Sequence, residues 1–73
     1  MKRFILRAYD LGDVPNNMED TIQGHYDYFA DAWEAFEALD SFHNFDVKSI
    51  FDQELIKTAV QSIDGDVQEL VRY

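Results

Sequence analysis

Four carboxylates recur every three residues in this chain, Asp31, Glu34, Glu37 and Asp40, and no Lys or Arg stands within a helical turn of any of them. Carboxylates at such spacing could exchange protons, hold a hard cation, or present a line of negative charge to a basic surface. The first two roles need company that the sequence does not supply. There is no Cys, so a nucleophile would have to be Ser41, Ser49, Ser62, Thr21 or Thr58, activated by His25 or His43, and none lies in a nucleophile elbow. The two histidines read as a strand residue and a helix-end residue. For a cation, the nearest fragment is Asp64-Gly65-Asp66 with Glu69, which lacks the alternating acids and the glycine and glutamate positions of an EF-hand loop. His25-Tyr26-Asp27 gives no two-histidine, one-carboxylate grouping, and three glycines, Gly12, Gly24 and Gly65, leave no phosphate-binding loop. No catalytic residue, metal ligand or cofactor is expected, which leaves the third role.

The row belongs to a larger acidic field. From Ala8 to Val47 the chain runs forty residues without Lys or Arg while placing ten carboxylates there, and all six basic residues fall outside that window. Like charges one helical turn apart cost roughly 0.2–0.5 kcal/mol each, and solubility alone does not require keeping cations away. Adaptation to high salt is a poor account, because six Phe, four Tyr and one Trp make a heavy core for so short a chain. On a helix the four acids rise about 4.5 Å per step, with no basic partner at spacing four to compensate them. In charge density such a row resembles the phosphate line of a nucleic acid, and a rigid acidic protein can occupy a basic groove with fast, steered association. The same charge repels nucleic acid and anionic lipid. The expected partner-binding residues are Asp27, Asp31, Glu34, Glu37 and Asp40, with Glu19 and Asp20 in the preceding loop and Tyr26 and Tyr28 as aromatic anchors beside the acids.

The elements that must position this row follow from periodicity. Residues 3 to 9 alternate, with Phe4, Leu6 and Ala8 on one face, and predict a first strand. Residues 10 to 20 hold the only proline and many turn formers, and read as a loop. Residues 21 to 29 are rich in Thr, Ile and aromatics and predict a second, antiparallel strand. Asp31-Ala32-Trp33-Glu34 has the form of a capping box opening a helix over about 32–43, with Trp33, Phe36, Leu39 and His43 on one side and the acids on the other. Residues 49 to 63 can be written as strands or as an amphipathic helix. The Asp64-Gly65 pair between apolar-rich segments favours a strand meander. The resulting fold class is α+β: a small antiparallel sheet of about four to five strands in ββαβββ order, with one amphipathic helix on one face. Its core is expected to hold Phe4, Leu6, Trp33, Phe36, Leu39, Val60 and Val71.

Seventy-three residues make one domain, 1–73, with a thin margin of buried surface. A composition 47% hydrophobic is too apolar for a disordered tail despite a net charge of −9. The apolar stretch Phe4–Leu6 is too short for an export signal, no run could span a membrane, and the lack of Cys suits a reducing cytoplasm, a host cytoplasm if the chain is viral.

In size, acidity and lack of chemical groups the chain resembles small phage or mobile-element proteins that neutralise host enzymes, including nucleic-acid mimics, anti-restriction proteins and anti-CRISPR proteins. The resemblance is one of class, and no family motif carries residues over. It implies a noncatalytic inhibitor, monomeric or homodimeric, that blocks a basic nucleic-acid-binding surface. The alternative is a small adaptor or homodimeric assembly protein that uses a sheet face or edge, with acidity serving solubility.

Overall fold

The computed structural model describes residues 2–42 and 45–73, residues 40–42 by backbone alone. In chain order these form β1 (Phe4–Tyr9), a 3-10 helix (Met18–Thr21), β2 (Ile22–Tyr26), α1 (Phe29–Phe42), β3 (Val47–Asp52), β4 (Lys57–Ile63) and β5 (Asp66–Glu69). The strands make one antiparallel sheet in the order β2-β1-β3-β4-β5, with α1 packed against β1, β2 and β3. This is the α+β architecture, and residues 49–63 take the meander rather than the helix. Both β2 and β3 run antiparallel to β1 and are therefore parallel to each other. Parallel strands cannot be joined by a tight hairpin, so the chain crosses over β1 between them, and α1 is that crossover.

Local chemistry explains the turns. At the β4–β5 hairpin Asp64 and Gly65 have φ of 52° and 85°, the two positive values that a two-residue type I′ turn demands. Between β3 and β4 the register slips at Ile50/Phe51, leaving Ala59 as an extra residue opposite no partner. The freed Ala59 carbonyl accepts the N–H groups of Leu70 and Val71, which turns the C-terminal residues back onto the sheet.

The helix begins at Phe29, three residues before the expected start at 32. Asp31 is therefore in the first turn, where its charge meets the positive end of the helix dipole, and does not act as the cap of a capping box. Packing overrides the local signal: Phe29 stacks on Tyr73 at 4.3 Å between ring centroids and meets Phe4 edge-on at 5.7 Å. The second strand is correspondingly shorter than 21–29. At its start Asn17 caps the 3-10 turn through the Glu19 N–H at 3.1 Å, and the Thr21 hydroxyl donates to the Met18 carbonyl. His43, expected on the apolar side of the helix, lies outside the described residues.

Phe4, Leu6, Phe36 and Val60 are fully buried as expected, joined by Ala32, Ile50 and Ala59. Burial of a side chain such as Phe36 contributes about 1.5–3 kcal/mol. Trp33, Leu39 and Val71 pack against this cluster only partly covered. Two charged residues enter the same layer unforeseen: Lys48 is 1% exposed and Asp52 is 0% exposed. Both project from β3 toward the helix side, since they pair with Ala8 and Phe4, whose side chains face α1.

Candidate functional site

Phe29, at the start of α1, packs on Phe4 at the start of β1, while the carbonyl of Phe36 meets Lys48, the register partner of Ala8 near the end of β1. The helix therefore runs along β1 and antiparallel to β2. Since β2 is an edge strand, one long side of the molecule consists of β2 and the flank of α1 above it.

The acids fall along this side in a definite pattern. Asp31 and Glu34 line a shallow groove together with Tyr26, Ala35 and Ala38. Glu37 is exposed one turn beyond Glu34, and Asp27 and Tyr28 are exposed in the two-residue link from β2 to α1, with Tyr28 retaining 71% of its surface. Glu19 and Asp20 are exposed in the 3-10 helix at the far end of β2, the end toward which α1 runs, and take no part in the groove. The side chain of Asp40 lies outside the described residues.

Tyr26 is half-buried, and its ring folds back along the strand over Gly24. A Cβ added at Gly24 would stand 2.8 Å from the Tyr26 hydroxyl oxygen and 3.0 Å from its ring. A glycine within a strand often marks such a close approach, so Gly24 carried a signal of this placement, whereas nothing in the sequence singled out Ala35 and Ala38 as the floor of the groove.

Beneath the helix Lys48 arrives from β3: its buried Nζ donates to the Phe36 carbonyl at 2.7 Å and lies 4.0 Å from the centre of the Phe36 ring. A cation beneath the later turns of α1 favours the negative end of the helix dipole. Asp31, Glu34 and Glu37 keep their carboxylates in solvent on the opposite flank.

A second concentration of charge serves the fold. Asp52 accepts from Arg3 in a two-pronged pair, Nε to Oδ1 and Nη2 to Oδ2, both at 2.9 Å. It also accepts from the Tyr73 hydroxyl at 2.7 Å and from the N–H groups of Glu54 and Leu55 at 3.0 and 3.2 Å. The Arg3 guanidinium, aided by Tyr73 and those amides, holds the Asp52 carboxyl well below the usual carboxylate range against the opposing effect of burial. Burial, and next the Asp52 carboxylate, push the Tyr73 hydroxyl up to about 12. Arg3 lies over the rings of Phe4 and Tyr73 at 5.0 and 5.8 Å. Both Asp52 oxygens are met by these neighbours, which suits a clasp joining Arg3 and Tyr73 to β3.

Among the described residues no three His, Asp or Glu side chains are grouped to hold a metal, and no helix is long and apolar enough to cross a membrane. No protein-family model, curated protein or solved structure matches this chain.

Proposed function

We propose that this chain is a noncatalytic binding protein of the cytoplasm that covers a basic, nucleic-acid-handling surface of another protein, in the manner of a nucleic-acid mimic. The observation that carries this reading is the side formed by α1 and β2. There Asp31, Glu34 and Glu37 stand exposed along one rigid helix, and Tyr26 offers a half-buried aromatic face between them and the sheet edge. A helix fixes the backbone that carries these carboxylates before binding, so that part of the ordering cost does not offset their attraction to a basic groove. Asp27 and Tyr28 extend the surface at one end, and Glu19 and Asp20 extend it at the other. A phage or mobile-element origin, and a role against host restriction or CRISPR enzymes, follow from the resemblance in class and belong to this proposal.

The test is affinity capture from a bacterial lysate at low and high salt, with mass spectrometry of what is retained and competition by short duplex DNA. The captured protein should be one that binds nucleic acid, DNA should displace this chain from it, and affinity should fall roughly tenfold or more from about 50 to 200 mM salt. Charge reversal at Glu34 and Glu37 should weaken binding far more than Ala at Gln61 or Gln68 on the opposite side of the sheet. Capture that ignores salt, or that survives the reversal, would refute the proposal.

A further inference from the structure

We infer that the face of the sheet turned away from α1 is a self-association surface, on which two copies of this chain close face to face about a two-fold axis. The registers define this face. Tyr9, Val47, Ile63 and Asp66 form one row across it, Arg7, Ser49, Gln61 and Gln68 a second, and Ile5, Phe51 and Thr58 a third. On this face Ile5 is 7% exposed, Arg7, Tyr9, Val47, Ser49, Phe51, Thr58 and Gln61 are half-buried, and Ile63, Asp66 and Gln68 are exposed. A single sheet covered on one side leaves the other to solvent or to a partner, and a chain of this size gains much from the added burial.

Charge selects the occupant. Each copy carries a net charge of −9, so two copies repel unless they meet where the acids are absent. On the strands of this face acids are few: Asp52 and Glu69 project to the helix side, and Asp66 on β5 is the one strand carboxylate on the open side. The opposite charge is present too. Arg7 lies on β1 with its guanidinium 5.1 Å from the centre of the Phe51 ring, and its Nε is buried with no hydrogen-bond partner among the described residues. A buried donor left unmet is costly, and the guanidinium that carries it puts a positive charge on this otherwise uncharged part of the sheet.

The strand order makes the face complementary to itself. In β2-β1-β3-β4-β5 the strands β1 and β5 are equidistant from the seam between β3 and β4. A two-fold axis along that seam lays β1 of each copy over β5 of the other, which brings each Arg7 to the partner copy's strand that carries Asp66 and Gln68. Tyr9, Val47, Phe51 and Ile63 are then buried between the sheets, and both acidic helices point outward.

Sedimentation velocity and light scattering on the full chain, from about 1 μM to 1 mM, would measure this. A concentration-dependent dimer is expected that persists or tightens as salt is raised, the reverse of the salt response expected for partner binding through α1. Gln61→Glu, which sets a carboxylate in the middle row, should weaken the dimer tenfold or more. Arg7→Glu and Asp66→Arg should each do the same, and the two together should restore it, with circular dichroism confirming that each variant is folded. Glu34→Lys on the helix should leave the dimer unchanged. A monomer at 1 mM, or a dimer indifferent to Gln61→Glu and to the Arg7–Asp66 exchange, overturns the inference. So does a monomer that uses Phe51 to hold an unlike protein. None of these results bears on whether the helix engages a basic partner.

Discussion

Asp52 and the α1 row use the same functional group in opposite ways. Asp52 has no exposed surface, and Arg3, Tyr73 and two backbone amides account for both of its oxygens. Asp31, Glu34 and Glu37 stand in solvent along a helix flank, while Lys48 reaches the helix from underneath through a backbone carbonyl. A charge whose every lone pair is met by protein acts as part of the scaffold, and its removal strands its partners. A charge left to water contributes little to the fold and remains available to something else. The contrast separates these four acids by role, which the net charge of −9 cannot do.

The largest effect is expected at the clasp. Asp52→Ala leaves Arg3 and Tyr73 without their acceptor and uncaps the β3–β4 turn, and should destabilise by about 3 kcal/mol, the low end for a broken buried pair because the Arg3 side chain is 33% exposed. Chemical denaturation would measure it, and a loss below about 1 kcal/mol would make Asp52 no different from a surface acid. The pH dependence has a fixed sign. Because the folded Asp52 carboxyl titrates below its unfolded counterpart, its contribution is whole at neutral pH and declines as the solution is acidified below about 4, the unfolded value. The variant should lack that acid limb.

Tyr73→Phe is the next largest. It keeps the stack on Phe29 and removes only the hydroxyl, at a cost of about 1–2 kcal/mol for a hydrogen bond to a charged group. Its hydroxyl ionises at about 12 in the fold against 10 ordinarily, so it favours the folded state below pH 10 and that advantage is lost between 10 and 12. The Phe variant should be flat through that interval. Beside the clasp, Ile56 holds φ of 54°, a left-handed conformation that a β-branched residue adopts at a cost of roughly 1–2 kcal/mol, and its side chain is 79% exposed. Ile56→Gly should relieve that strain and stabilise by about 1 kcal/mol in the same assay, less the greater freedom of Gly when unfolded. A destabilised variant would mean that the Asp52-capped turn depends on the Ile56 side chain.

How much of this was legible in the residues depends on whether the signal was local. The Phe4–Ala8 alternation and the Asp64-Gly65 turn are decided by neighbours, and both strands and hairpin were readable. The start of α1 is not decided locally: Asp31 and Glu34 imitate a capping box, while the deciding contact, Phe29 on Tyr73, spans the chain. Lys48 and Asp52 alternate with Ile50 on one face of a single strand, and a buried Lys or Asp is rare unless paired, so their destination depended on Phe36 and Arg3. At the site, Asp27, Asp31, Glu34, Glu37, Tyr26 and Tyr28 could be nominated by type and spacing, and Gly24 hinted at a close approach. That Tyr26 lies over that glycine, with Ala35 and Ala38 shaping the groove, required the β2–α1 geometry.

The smallest expected effect separates the two kinds of acid most sharply. Glu34→Gln with Glu37→Gln removes two neighbouring like charges from an exposed flank and no contact within the fold. Relief of their repulsion should move stability by no more than about 0.5 kcal/mol, in the stabilising direction. Added salt, which screens the same repulsion, should raise the melting temperature of the parent chain more than that of the variant. If the pair instead costs stability on the scale of Asp52→Ala, those carboxylates belong to the scaffold. A row required for folding would explain its own presence, and the proposed basic partner would lose its main support. Near-neutral stability combined with lost capture would mean that the repulsion between Glu34 and Glu37 is retained for the partner they face.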